Sequence, residues 1–154
     1  MESNLHEGKE QNRDELIFVA LSEPTNIASN IYGDILKYLS PKFKRIHVIC
    51  RGKKQIVQKN NLIFYSGRLI DWFSFFGKID KKRTSHIFLT DFFLGGLIST
   101  YYSKKYNIPM IYRCGGPWKY DLNSLTNIIK SLVIGITKPI VIGNCKKIVY
   151  NSKS

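Results

Sequence analysis

From His86 to Trp118 the chain reads HIFLTDFFLGGLISTYYSKKYNIPMIYRCGGPW. It opens on a short apolar run, His86 to Thr90, that stops at Asp91. Leu94, Leu97, Ile98 and Tyr101 then recur at helical spacing, and the pattern ends near Tyr106-Asn107. Pro109 to Arg113 forms a second apolar run and opens into the Gly/Pro loop Cys114-Gly115-Gly116-Pro117-Trp118. Continuous apolar runs of this length suit strands covered on both faces. Strand, helix and strand in sequence make a βαβ unit, which implies a parallel pair.

The same alternation extends outward in both directions. Upstream, Leu16 to Leu21 is a continuous apolar run ending in the polar loop Ser22-Glu23-Pro24-Thr25-Asn26. Ile27, Ile31, Ile35 and Leu39 mark one face of a helix that Thr25 or Asn26 caps and Ser40-Pro41 ends. Ile46 to Cys50 is a second strand, followed by the basic loop Arg51-Gly52-Lys53-Lys54. Leu62 to Tyr65 is a third, and Gly67 to Lys82 is an aromatic-rich helix closed by Lys81-Lys82-Arg83. Downstream, Leu125, Ile128, Ile129, Leu132, Val133 and Ile136 form the cleanest helical stripe in the chain, with Asn123 or Ser124 as cap. Lys138-Pro139 is expected to break or kink it, and Ile148 to Tyr150 is a last short strand. The expectation is one α/β domain over residues 15–154. It is a Rossmann-like, doubly wound and mostly parallel sheet of about six strands with helices on both faces. Residues 1–14 read as a flexible polar tail.

Composition fits that domain. The chain has 154 residues, 44% hydrophobic and 23% charged, with a formal charge of +13. Five of its acids fall in residues 1–15, so the folded part is more basic than the whole. Such a field favours anionic partners. Basic clusters beside Trp72, Phe73, Phe75 and Phe76 suggest a basic-aromatic face for an anionic membrane surface, against the plainer reading of solvated charge. Cys50, Cys114 and Cys145 have no metal-ligand spacing, and His6, His47 and His86 are isolated, so no metal site is expected. There is no secretory signal core. The most apolar stretch, Leu125 to Gly143, is interrupted by Lys130, Lys138 and Pro139, so no membrane-spanning helix is expected.

In an open parallel sheet, ligands bind beyond the carboxyl ends of the strands. That rule selects the loops at Ser22 to Asn26, Thr90-Asp91, Arg113 to Trp118 and Asn151-Ser152. Phosphate suits a helix start near Asn26. Arg113 offers a planar fork for phosphate or carboxylate. Gly115-Gly116 lets a ligand approach the backbone, and Trp118 offers a plate for a sugar ring. The plainer alternatives are a capping loop at Thr25-Asn26, a helix cap at Asp91, and a Gly-Pro turn whose Trp packs on the domain. No GxGxxG follows the first strand and no GxxxxGK[ST] occurs, which counts against a dinucleotide enzyme or a P-loop NTPase. Neither a hydrolytic triad nor a glycosidase carboxylate pair can be assembled from the spacing.

Three features together resemble the N-terminal domain of GT-B glycosyltransferases of the family-4-like group. They are the strand entry Ile108-Pro109-Met110-Ile111, the Arg-x-Gly loop Arg113-Cys114-Gly115-Gly116, and the ending Ile148-Val149-Tyr150-Asn151-Ser152. The resemblance runs from about Leu16 to Ser154. The chain departs from that pattern where Ser22 to Asn26 replaces a Gly-containing loop and Cys114 stands at a frequent His position. The nucleotide-sugar-binding C-terminal domain, with its paired-Glu motif, is absent from this sequence.

The resemblance implies the acceptor-binding half of a retaining glycosyltransferase, inactive alone. Once completed by a donor-binding domain or separate subunit, it would move a sugar from a nucleotide sugar to a glycan or lipid-linked acceptor. It implies no cofactor beyond the nucleotide sugar as co-substrate and no metal. Asp91, Trp118, Gly115 and Gly116 would face acceptor, and Thr25, Asn26 and Arg113 would face phosphate or donor. A cytoplasmic protein, peripheral at the inner membrane face, is the corresponding location. The rival readings are a non-catalytic binding subunit or truncated relic, and a basic nucleic-acid-binding module; no nucleic acid is expected, because no recognised binding motif accompanies the charge.

Overall fold

Every residue of the first strand is buried, and that fixes the layering. β1 (Glu15–Val19) pairs in parallel with β2 (Arg45–Arg51) on one side and β5 (Thr84–Leu89) on the other. Its side chains therefore alternate between two separate cores. Ile17 and Val19 join one, while Leu16, Phe18 and Ala20 join the other. The structure, a computed structural model, describes residues 13–24, 31–90, 93–114 and 124–150. Within them lie α1 (Ile31–Leu39), β3 (Gln55–Lys59), β4 (Leu62–Gly67), α2 (Leu69–Lys78), α3 (Leu94–Tyr106), β6 (Met110–Cys114), α4 (Leu125–Gly143) and β7 (Cys145–Tyr150).

The sheet has seven strands in the order β3-β4-β2-β1-β5-β6-β7. All pairs are parallel except β3 with β4. Leu36 of α1 packs on the face carrying Phe18, Ile46 and Val48. α2, α3 and α4 contribute Trp72, Phe75, Phe76, Ile98, Ile134 and Val141 to the opposite face. This is the Rossmann-like α/β fold with helices on both faces. From β1 the chain steps first to β2 and later to β5 on the other side, so the switch point lies between β1 and β5.

Three local expectations need correction. The sheet has a seventh strand: β3 is an antiparallel edge strand, exposed at all five residues. With neither face buried, Gln55 to Lys59 carries no apolar alternation by which a strand is recognised. It is held by a hairpin through Asn60, which takes the left-handed conformation at φ 55°. Asn61 fastens that hairpin, donating to the carbonyls of Ser40 and Phe43. Second, Pro139 does not end α4, which runs unbroken to Gly143. The carbonyl that loses its partner to the proline belongs to Gly135, and both residues are solvent-exposed, so water can serve it. α4 is thus long and apolar enough, by length and composition, to cross a bilayer. Third, Trp72, Phe75 and Phe76 form no surface face, because all three are core. Of that group only Phe73 is exposed.

Candidate functional site

The carboxyl edge of the sheet gathers cations. β2 ends on Arg51, β4 ends on Gly67 followed by Arg68, and β6 carries Arg113 one residue before its end. Parallel register sets the levels. Arg51 pairs with Gly67, and Leu89 pairs with Tyr112, the residue before Arg113. At the switch point, Thr90 ties the two central strands together. Its N–H and its hydroxyl both donate to the Val19 carbonyl, at 3.1 and 3.0 Å. The Ala20 N–H donates to Ile49 O at 3.0 Å, continuing the tie to β2.

Beside that point opens a cleft of about 620 Å³ lined by Leu21, Glu23, Arg51, Gly52, Gly67, Arg68 and Leu69. Its size is that of a small-molecule site. Two glycines shape its wall. Gly52 sits at φ +148°, a conformation L side chains rarely adopt. At Gly67 a Cβ would stand 2.9 Å from the Phe75 ring and 3.0 Å from Asp71 Cβ, so α2 packs directly against the backbone there. The Ser66 hydroxyl donates to Lys53 O at 2.5 Å and pins the Arg51–Lys54 turn to β4.

The buried Asp71 does not cancel the positive charge. Its carboxylate accepts from the Arg68 N–H at 3.0 Å, capping α2, and pairs with Lys54 Nζ at 2.9 Å. The bond from Lys54 holds the Asp71 carboxyl below the usual carboxylate range, so it stays ionised and occupied. Glu23 is then the only acid among the described residues of the lining, against Arg51 and Arg68. The Arg68 guanidinium is 3.8 Å from Asp71 but remains largely in solvent. The result is an open notch with two forks suited to an anion.

Arg113 lies across the switch point, on the other half of the same edge. It is 8% exposed, and no ion pair joins it to another described residue. A guanidinium in such a place suits a carboxylate or phosphate. Of the residues expected to form the site, Arg113 alone is described. Thr25, Asn26, Asp91, Gly115, Gly116 and Trp118 lie outside the described residues, as do Asn151 and Ser152. Arg51 and Arg68 line the candidate site without being among the residues expected there. Arg51 sits in a run of bases that looks like ordinary surface, and Arg68 only gains meaning once β4 is known to end beside β2.

The opposite, amino edge is closed by charge. Glu15, 1% exposed, accepts from His47 Nε2 at 2.8 Å and lies 3.5 Å from both Arg45 and Arg83. Arg83 also reaches both carboxylate oxygens of Asp14 at 3.2 Å. Among the described residues no group of three or more His, Cys, Asp or Glu is arranged to hold a metal ion. Compared with known proteins, the chain matches no family model and no curated sequence.

Proposed function

We propose that this domain is the acceptor-binding half of a glycosyltransferase. It would transfer a sugar from a nucleotide sugar to a glycan or lipid-linked acceptor when a donor-binding domain completes it. The observation that carries the reading is the placing of Arg51, Arg68 and Arg113 along one sheet edge, on both sides of the switch point. A reaction that expels a nucleoside diphosphate needs fixed positive charge where negative charge develops, and needs its reactants held in place. The cleft supports both roles, since its cations stand at the ends of β2 and β4. The Arg-x-Gly sequence at Arg113 to Gly115 supports the same reading.

Titration of the full chain with pyrophosphate, then with a panel of nucleoside diphosphate sugars, tests it. Pyrophosphate should bind at low ionic strength. Arg113→Ala and the pair Arg51→Ala/Arg68→Ala should each weaken it about tenfold, the loss expected for a charge-assisted contact. With a donor-binding domain supplied, Arg113→Ala and Asp91→Ala should both lower transfer. Failure of pyrophosphate and of every sugar nucleotide to bind, or unchanged transfer in both variants, overturns the reading.

A further inference from the structure

α4 is turned inside out relative to an ordinary surface helix. Such helices point the apolar stripe at the core and the polar face at water. Here Leu125, Ile128, Ile129, Leu132, Ile136 and Ile140 are all exposed, with Leu125, Leu132 and Ile136 at 74%, 64% and 66%. Ile134, Thr137 and Val141 make the packed side instead. Pro139 and Gly143 are exposed too and continue the stripe by helical spacing. No charge interrupts it. Lys130 and Lys138, the charged residues of the helix, fall by the same spacing on the side of Ile134 and Val141. A neutral apolar strip along a helix of 19 residues is far more than the scattered exposed side chains of a self-contained domain.

Neutrality and symmetry select what covers it. A charged partner finds nothing on the stripe to pair with, whereas a second stripe meets it apolar against apolar. A two-fold interface further requires that if residue i touches residue j of the partner, j touches i in return. The stripe has that property, because its spacing reads the same in both directions from Ile134. Leu132 mirrors Ile136, and Ile128 mirrors Ile140. Towards the ends, Ile129 mirrors Pro139 and Leu125 mirrors Gly143, so large faces small and two helices can close together. The stripe runs about 27 Å along the helix, and two of them laid antiparallel remove on the order of 1,000 Å² of surface, where specific association begins. We propose that this protein pairs with a second copy of itself through the α4 stripe, as an antiparallel two-fold dimer. The charge of +13 on each copy opposes the pairing, but Lys130 and Lys138 lie away from the seam and salt screens the remainder. Covering the stripe by threading a bilayer is disfavoured by the topology. α4 is the crossover between the paired strands β6 and β7, and its other face packs on α3, so spanning would tear that pairing apart. The proposal is independent of the sugar-transfer reading, and its test uses no activity.

The test is sedimentation equilibrium of the full chain between about 1 and 200 μM, the range in which a small interface shows itself, at low and at physiological salt. Wild type should pass from monomer to dimer and stop there, because a two-fold interface closes on itself. Salt should strengthen the dimer, since it screens the repulsion and leaves the apolar contact intact. Leu132→Ser/Ile136→Ser should weaken dimerisation at least about tenfold, because each copy loses two apolar side chains at the centre of the seam. Ile70→Ser removes a similarly exposed apolar side chain from α2 and should change nothing. Leu132 and Ile136 are exposed, so the circular dichroism should stay native; should the pair fail to fold, Leu125→Ser at the start of the stripe makes the same comparison. A monomer at every concentration, equal association by the stripe variants, an equal loss in Ile70→Ser, or growth beyond the dimer overturns the proposal. So does a monomer that co-sediments with phosphatidylglycerol vesicles and is released by Leu132→Ser/Ile136→Ser, which would make lipid the occupant.

Discussion

Glu15 and His47 show how a single residue's chemistry is decided by its strand register. A buried carboxylate is costly unless its partners are close. Glu15 has them because β1 and β2 run in parallel, with Glu15 opposite Arg45 and Ile17 opposite His47. With Nε2–H donating to Glu15, Nδ1 is left to accept from the Tyr65 hydroxyl at 3.2 Å, so the neutral imidazole satisfies both neighbours. Burial lowers the His47 pKa, against the pull of Glu15. The unfolded chain therefore takes up the proton more readily, and acid favours unfolding. Stability should be full above the ordinary histidine value of about 6.5 and decline as pH falls below it. His86 is shifted the same way by burial, so His86→Gln is the matched control. Urea unfolding across this range should show His47→Phe losing about 1–3 kcal/mol at neutral pH, through the orphaned Glu15 oxygen, together with a flatter pH dependence. An unchanged pH slope in His47→Phe would refute the assignment. None of this is legible at His47 alone, since the partner stands 32 positions away. The thiols read more easily: burial raises Cys50 to about 12 and Cys145 to about 11, which suits inert side chains.

Elements were readable where one face is buried and unreadable where none is. α3 announces itself by Leu94, Leu97 and Ile98 and ends at Asn107 in the left-handed conformation, φ 51°. β3 has no buried residue and so no pattern. α4 has the strongest pattern of all, yet periodicity reports only that an apolar stripe exists, and its direction is set by what the neighbouring elements leave uncovered. The expected cap at Ser124 is present: its hydroxyl accepts from the Asn127 N–H at 3.2 Å. Ser124→Ala should lower stability by about 1 kcal/mol, and Ser124→Asp should restore it, read as shifts in thermal midpoint. A null effect of Ser124→Ala would show that packing on α3 alone holds the helix start.

At the scale of the molecule, the α/β class and the central parallel order followed from alternating short apolar runs and helical stripes, because such runs are buried on both faces. The site was legible in one half only. Arg113 lies one residue before the end of a strand that can be seen in the sequence, whereas Arg51 and Arg68 come to one cleft only through the register of Arg51 with Gly67. The two sheet edges are also unlike. The amino edge is sealed by Asp14, Glu15, Arg45, His47 and Arg83, and the carboxyl edge is open and cationic.

The clamp between Asp14 and Arg83 has a practical consequence for anyone handling this protein. It fixes where the chain enters the sheet, on the side farthest from the cleft. A purification handle or biotin attached ahead of Arg13 joins the folded domain at that amino edge, opposite the edge that carries Arg51 and Arg68. Protein tethered to a sensor surface through that end should present its cationic notch to the flowing analyte and keep the binding capacity it has in free solution.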